Sequence, residues 1–551
     1  MLKYLFGLAL VSGGMLAQFS DQTQSAGLIA THMPILDHAG WEMEGGGTVG
    51  DFNRDGWPDI YVLGGGNAPD RLFINQGDGT FSDEAQVWQA PGPHRGVGAA
   101  VGDYDHDGWL DLFLTSLGPQ SGPPVAGAHY LLHNHQGLYF EDRTATAGLA
   151  YSSPTVPDGF SASFGDYDLD GHLDLFITGW HPNALGNCLF HNNGDGTFSN
   201  VTQTAGVYDP DLHGFSPTFA DLNNDFYPEI MLSADFGTSK YFANQGDGSF
   251  SNLTPSAGCG LETNGMGGTV GDVNNDGLLD WYVTSIYFSE NPTAHNGNYL
   301  YINQGNDQFV PLPEQAGATD GGWAWGTAFI DFDLDRALDI VATNGWRRDE
   351  FLNEPAYLFR NMGGLQFTEV GQSMGLVQVG QGRGLVILDY DRDGDMDVVI
   401  FESAGPMSLF RNEHAGGANH WLEVNAVSYY HPQIAPDGLG SRIQVSRAGL
   451  TQTAILHAGA NYLGNSELQV HFGLGPETAM DQLQVTWPNG LIQTFVLPID
   501  RKWTLYVPHP ALLSELLPSW ASGNTTCVGQ VTVQSLVGLI EADFVCSPLE
   551  N

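Results

Sequence analysis

One nine-residue frame, with acids or amides at positions 1, 3, 5 and 9, occurs seven times in this chain and limits what it can fold into more than any other feature. The copies start at Asp51 (DFNRDGWPD), Asp103 (DYDHDGWLD), Asp166 (DYDLDGHLD), Asp221 (DLNNDFYPE), Asp272 (DVNNDGLLD), Asp331 (DFDLDRALD) and Asp389 (DYDRDGDMD), 51 to 63 residues apart. Small and apolar residues precede each copy, as in GGTVG, GAAVG and SASFG, and a β-rich run follows, as in IYVLGG, LFLTS and LFITG. The acidic segment is therefore a loop between two strands.

A second element follows each loop: LFINQGDGTF from Leu72, LLHNHQGLYF from Leu131, LFHNNGDGTF from Leu189, YFANQGDGSF from Tyr241, LYINQGNDQF from Leu300 and LFRNMGGLQF from Leu358. Asn-x-Gly-Asp-Gly between apolar alternations marks a tight hairpin. One unit is thus four antiparallel strands, a propeller blade, and seven units make a ring without long exposed edges. The seventh unit stops at LFRNE from Leu409 and lacks its fourth strand. FSDQTQSAGL from Phe19 matches the fourth-strand texts FEDRTATAGL from Phe140 and FSNVTQTAGV from Phe198, so the N-terminal segment is expected to complete the ring. The fold class read here is all-β: a seven-bladed β-propeller with calcium loops, followed by a small β-rich module.

Side chains at positions 1, 3, 5 and 9, with the carbonyl at position 7, can wrap one hard cation, and glycine at position 6 permits the turn. The expected ligands are Asp51, Asn53, Asp55 and Asp59; Asp103, Asp105, Asp107 and Asp111; Asp166, Asp168, Asp170 and Asp174; Asp221, Asn223, Asp225 and Glu229; Asp272, Asn274, Asp276 and Asp280; Asp331, Asp333, Asp335 and Asp339; and Asp389, Asp391, Asp393 and Asp397. All donors are oxygen, which favours Ca²⁺, up to seven ions, over zinc or copper. Phe226 and Arg336 replace the glycine in the fourth and sixth copies, where weaker or distorted sites are expected.

With 63 Asp and Glu against 17 Lys and Arg, the formal charge is −46, which argues against nucleic acid and anionic membranes as partners. The start, MLKYLFGLALVSGGMLAQ, has the layout of a secretory signal over residues 1–17, and no later run is apolar enough to span a bilayer. Secretion is the expectation, to the extracellular space or the cell surface. Cys527 and Cys546 could pair in the tail, whereas Cys188 and Cys259 are expected to be isolated and buried.

The seven units resemble FG-GAP (VCBS) repeats, the calcium-loop blades of integrin-α-like propellers, over residues 18–415. GLGSRIQV from Gly438, NYLGNSELQVHFGLG from Asn461 and DQLQVTWPNG from Asp481 look like an ASPIC/UnbV module over residues 416–508, of the kind that follows such propellers in secreted bacterial proteins and in cartilage acidic protein. Residues 509–551 form a tail outside both resemblances. The resemblance implies a secreted calcium-binding protein, often without a defined activity.

If the acidic loops share one face, the long connections gather on the other. They carry Trp180, His181, Trp346, Arg347 and Arg348, with Arg95 and Arg383 nearby, a candidate surface for an anionic ligand such as an acidic glycan. The competing expectation is that the tryptophans plug the channel. No H-E-x-x-H or P-loop is present. The reading is extracellular binding or adhesion to a protein or glycan, with a lyase-like enzyme on the arginine face and a self-assembling matrix or filament subunit as alternatives.

Overall fold

The structure, a computed structural model, describes residues 18–37, 39–118, 128–150, 159–181, 186–288, 290–291, 296–348, 351–414, 418–428, 431–507, 531–535 and 538–542. The signal segment, Cys527 and Cys546 lie outside them. Among them are seven four-stranded antiparallel sheets, six of them running from an inner strand outwards in chain order. The inner strands, such as Gly47–Gly50, Gly96–Gly102, Ala162–Gly165 and Ala324–Ile330, are wholly buried. Each packs on the next, and Gly382–Leu388 of the last sheet packs on Gly47–Gly50 of the first. The architecture is a closed β-propeller, with the sheets numbered here as blades 1 to 7. Large apolar side chains fill the spaces between blades, as where Phe52, Tyr61 and Leu72 meet Leu112, Leu132 and Phe140.

The N-terminal strand Phe19–Asp21 pairs antiparallel with Ser408–Asn412 and supplies the fourth strand of blade 7. Phe19 sits in the core between blades 6 and 7, against Phe332 and Phe410. This is the closure that the likeness of Phe19–Leu28 to other fourth strands predicts.

The C-terminal module has its own core around Leu422, Ile443, Phe472, Leu483 and Trp487. Its strand His420–Val427 pairs with Val470–Gly475 and, in parallel, with Lys502–Tyr506. A second sheet contains Arg442–Arg447, Leu450–Ile455, Gln482–Thr486 and Ile492–Phe495. The tail, set apart in the sequence, adds to this sheet the strands Val531–Ser535 and Gly538–Ala542.

The module covers the acidic-loop face of the ring. Arg442 donates to the carbonyls of Asp221 (3.0 Å) and Gly277 (3.1 Å), the Gly475 amide to that of Leu334 (2.9 Å), and His471 shares a hydrogen bond with that of Gly394 (2.9 Å). Its loop 456–469 then descends the channel. There Ser163 donates to the Ala458 carbonyl, the Leu463 amide to Ser161, the Val101 amide to Asn465 and the Ala460 amide to the Pro217 carbonyl. Glycine is required at this approach, since a Cβ on Gly464 would lie 1.8 Å from the Gly47 carbonyl oxygen. The tip reaches the far face, where Tyr462 donates to the Met43 carbonyl (3.0 Å) and packs on Phe215 and Trp325. The channel is therefore filled by the module, and the tryptophans cap its tip.

Candidate metal centres in the acidic loops

The seven loops share one hydrogen-bond pattern. Position 1 accepts the amides of positions 5 and 6, as Asp272 does from Asp276 and Gly277 at 2.9 Å each. Position 5 accepts the amide of position 7, as Asp276 does from Leu278. Position 9 accepts the amide of position 2 and, in six blades, that of an Asn in the third strand; Asp280 does so from Val273 (3.1 Å) and Asn303 (2.8 Å). The backbone is left-handed at position 6 and also at position 4, where Arg54, His106, Leu169, Asn224, Asn275, Leu334 and Arg392 all have positive φ.

Phe226 (φ 80°) and Arg336 (φ 79°) take the left-handed conformation that glycine adopts elsewhere, and their amides still reach Asp221 (3.1 Å) and Asp331 (2.9 Å). The loop frame thus survives both replacements, at the cost of a strained backbone.

The pattern gathers carboxylates. Oxygens of Asp103, Asp105 and Asp111, of Asp166, Asp168 and Asp170, and of Asp331, Asp333 and Asp339 lie within 4.8 Å of one another in each set. Position 9 is buried in every blade. Burial pushes the carboxyls up, Asp51 and Asp272 to about 6, Asp111 and Asp174 to about 7 and Asp280 to about 8, with neighbouring carboxylates adding to the rise. A hard divalent cation would relieve that cost, and the all-oxygen donor set suits calcium.

Two features were missed by the sequence reading. The third-strand Asn donates its side-chain amide to the position-2 carbonyl of the preceding blade: Asn75 to Tyr390, Asn134 to Phe52, Asn192 to Tyr104, Asn244 to Tyr167, Asn303 to Leu222, Asn361 to Val273 and Asn412 to Phe332, at 2.8–3.3 Å. Seven buried amides therefore lace the blades into a ring.

The residue before that Asn stands over the loop and varies by blade. It is Ile74, Ala243 or Ile302 in blades 1, 4 and 5. In blade 2, His133 Nδ1 lies 3.0 Å from Asp105 and 3.4 Å from Asp111, and the bonds to Asp105 and Asp111 hold the imidazole up at about 10. In blade 3, His191 Nδ1 lies 3.1 Å from Asp174 and is held up at about 9 by that bond. In blade 6, Arg360 Nη2 is 2.5 Å from Asp333 and 3.4 Å from Asp335. In blade 7, Arg411 meets Asp391 (2.6 Å) and Asp393 (2.8 Å). The signal was available in the aligned texts LFIN, LLHN, LFHN, YFAN, LYIN, LFRN and LFRN.

On the opposite face Trp180, Trp323, Trp325 and Trp346 join one apolar cluster. Trp346 is buried between Trp323 and Trp325, with ring centroids 4.7 and 5.6 Å away, and Trp180 donates to Asp235 (2.9 Å). His181 is half-buried beside it. The four arginines do not form one free surface. Arg383 is fully buried, donates to the carbonyls of Glu42, Gly345 and Gly382 and stacks on Trp325. Arg95 is buried against Asp37, with two bonds of 2.6–2.7 Å. Arg347 and Arg348 are exposed, Arg347 lying over the ring of Trp41. Cys188 and Cys259 are buried free thiols, as expected.

The FG-GAP-like repeat model matches residues 51–114, 166–232, 221–283 and 286–342, and the ASPIC and UnbV model matches 432–510. The chain carries FG-GAP-like repeats and an ASPIC and UnbV module. Its propeller and module are similar to cartilage acidic protein 1 of Homo sapiens, 25% identical over 472 residues, 81% of this chain and 60% of that protein. The Mus musculus protein is 27% identical over 493 residues, 84% of this chain and 64% of its own length. The FG-GAP chain thus spans less than two thirds of the curated relatives it matches. A solved lectin, BP39L from Burkholderia pseudomallei, aligns over 68% of this chain and 97% of its own at 12% identity and a TM-score of 0.42, too distant to bear on function. Among the described residues no helix is long and apolar enough to cross a membrane.

Proposed function

We propose that this FG-GAP propeller is a secreted, calcium-stabilised protein that acts by binding an extracellular protein or glycan. The observation that carries the calcium reading is the convergence of mutually repelling carboxylates in a repeated loop whose position 9 is buried in every blade. Isolated burial of such charges is unfavourable unless a cation or a proton compensates it. Asp51, Asp103, Asp272 and their counterparts would hold the ion with positions 3, 5 and 9, and the ion would stiffen the turn between the first and second strands of a blade. The relation to cartilage acidic protein supports an extracellular binding role. Arg347 and Arg348, exposed on the far face, are the residues that would meet a ligand there.

The test is metal content of the purified full chain together with thermal unfolding in calcium and after metal stripping. Bound calcium with a large calcium-dependent rise in Tm supports the reading. No bound metal and no shift would remove it. Binding to an acidic glycan array, abolished in the R347A/R348A double variant, would select the glycan over a protein partner.

A further inference from the structure

The module brings carboxylates of its own to the acidic-loop face. Glu423, in its strand His420–Val427, is fully buried, and neither carboxylate oxygen has a hydrogen-bond donor. It faces Asp389, position 1 of the blade 7 loop, closely enough for the two carboxyls to share a proton. Two cations stand near it without a hydrogen bond to it: Arg392, whose Nη1 is 3.9 Å from Oε2, and Lys502, its register partner on the parallel strand. Glu467, on the plug, lies beside them but is already served, by Arg392 Nη2 at 2.8 Å and Lys502 Nζ at 3.0 Å.

Three carboxylates therefore meet two cations, and the one left without a donor is Glu423, beside an Asp389 that accepts only the amides of Asp393 and Gly394. The outer half of the loop does not help, because Arg411 is engaged by Asp391 and Asp393. Two facing carboxylates in a dry seam are stable only with something positive between them. All nearby donors are oxygens of carboxylates or backbone, the set that a hard divalent ion takes.

We infer that Asp389 of the propeller and Glu423 of the module hold one calcium ion between them, an interdomain site that ties the module to the ring. The site lies outside the nine-residue frame, since Glu423 comes from another part of the chain, and it makes docking of the module depend on calcium. The inference rests on the reading of the acidic loops as calcium sites. The alternative occupant is a proton.

The two are separated by counting calcium on the full chain, by equilibrium dialysis of wild type, E423Q and D272N. Gln mimics the protonated acid, so a shared proton predicts no change in E423Q, whereas a bridging ion predicts one ion fewer per chain. D272N removes position 1 of the blade 5 loop and is expected to lose one ion by the loop reading alone. A D272N loss with E423Q equal to wild type overturns the seam site and leaves the loop sites standing; a wild type that holds no calcium overturns both. A second readout does not depend on E423Q folding. Trp421 lies against Gly394 of the same loop, so terbium bound at the seam should be sensitised by it. W421F should lose that component of the emission at an unchanged ion count, and unchanged emission would count against the site. Protease cleavage between the propeller and the module should also rise at least several-fold in wild type on calcium removal, with E423Q already raised in calcium.

Discussion

The loops of blades 5 and 7 are built on one frame and differ in what neutralises them. In blade 5 the third strand offers Ile302, and the carboxyls of Asp272 and Asp280 are pushed up by burial with no side-chain cation in contact. In blade 7 the same position carries Arg411, which holds Asp391 and Asp393. Blade 6 follows blade 7 through Arg360, while blades 2 and 3 place an imidazole there. The difference teaches that a repeated acidic motif does not fix one occupant: a residue in a neighbouring strand, or in blade 4 the module's Arg442 at 3.8 Å from Asp221, decides whether the charge is met by an internal cation or must be met from solution.

Metal removal is the broadest way to break this comparison and has the largest expected effect. At a calcium concentration ten times Kd, each occupied site contributes about 1.4 kcal/mol. The stripped chain should lose that sum, with amide exchange rising most in blades 1, 4 and 5 and least in the outer loop of blade 7. Equal exchange in blades 5 and 7 would erase the distinction. The stripped chain should also respond to pH. Folding keeps protons on Asp280 (about 8) and Asp272 (about 6) that the unfolded chain has released above about 4. The folded state then binds more protons, so stability is greatest at low pH and falls as the pH rises from about 4 towards 8. Calcium should flatten this slope in a Tm series, because it replaces those protons.

The Asn ring separates architecture from metal. Asn303→Ala leaves the carbonyls of Leu222 and Leu279 without their donor, at a cost of about 2 kcal/mol, and the loss should be the same in calcium and after stripping. Asp276→Ala, at an exposed ligand position, should cost stability only in calcium. Denaturant unfolding of both variants in both conditions checks this, and a calcium-dependent loss in N303A would make the ring part of the metal site. The smallest effect is expected from exchanging the third-strand residues. I302R should weaken one calcium site about tenfold and R411I should strengthen one, each worth about 1.4 kcal/mol of binding and read by calorimetric titration.

The repeats, the hairpins and the closing strand were legible because they depend on local texts: a turn residue, an alternation, a fourth-strand likeness at Phe19. The ligand frame was legible for the same reason. The Asn ring was not, because each partner carbonyl belongs to the preceding blade, and the repeated Asn-x-Gly is already accounted for by the turn it makes, as where Gly305 donates to Asn303. Nor was the place of the module. HAGANYLGNSE from His457 reads as an ordinary small-residue loop, and no periodicity says that Asn465 will meet Val101 inside a channel. Arg95 and Arg383 looked like ligand groups because arginine is rare in this chain, yet the Asp37 carboxylate, backbone carbonyls and a tryptophan ring had already claimed them.

The plug and the closing strand together impose an order of assembly. Phe19–Asp21 is synthesised before any blade and finds its partner only when Ser408–Asn412 exists, while loop 456–469 is synthesised after all seven blades and ends inside them. The strand closes the ring at its outer edge and the loop holds the inner strands at its centre. Opening one blade of the finished molecule does not free the loop, and withdrawing the loop strips inner strands around the ring of their partners. The chain should therefore fold slowly, as its long-range pairings require, and unfold as one body, a lock whose bolt and hasp come from opposite ends of the same polypeptide.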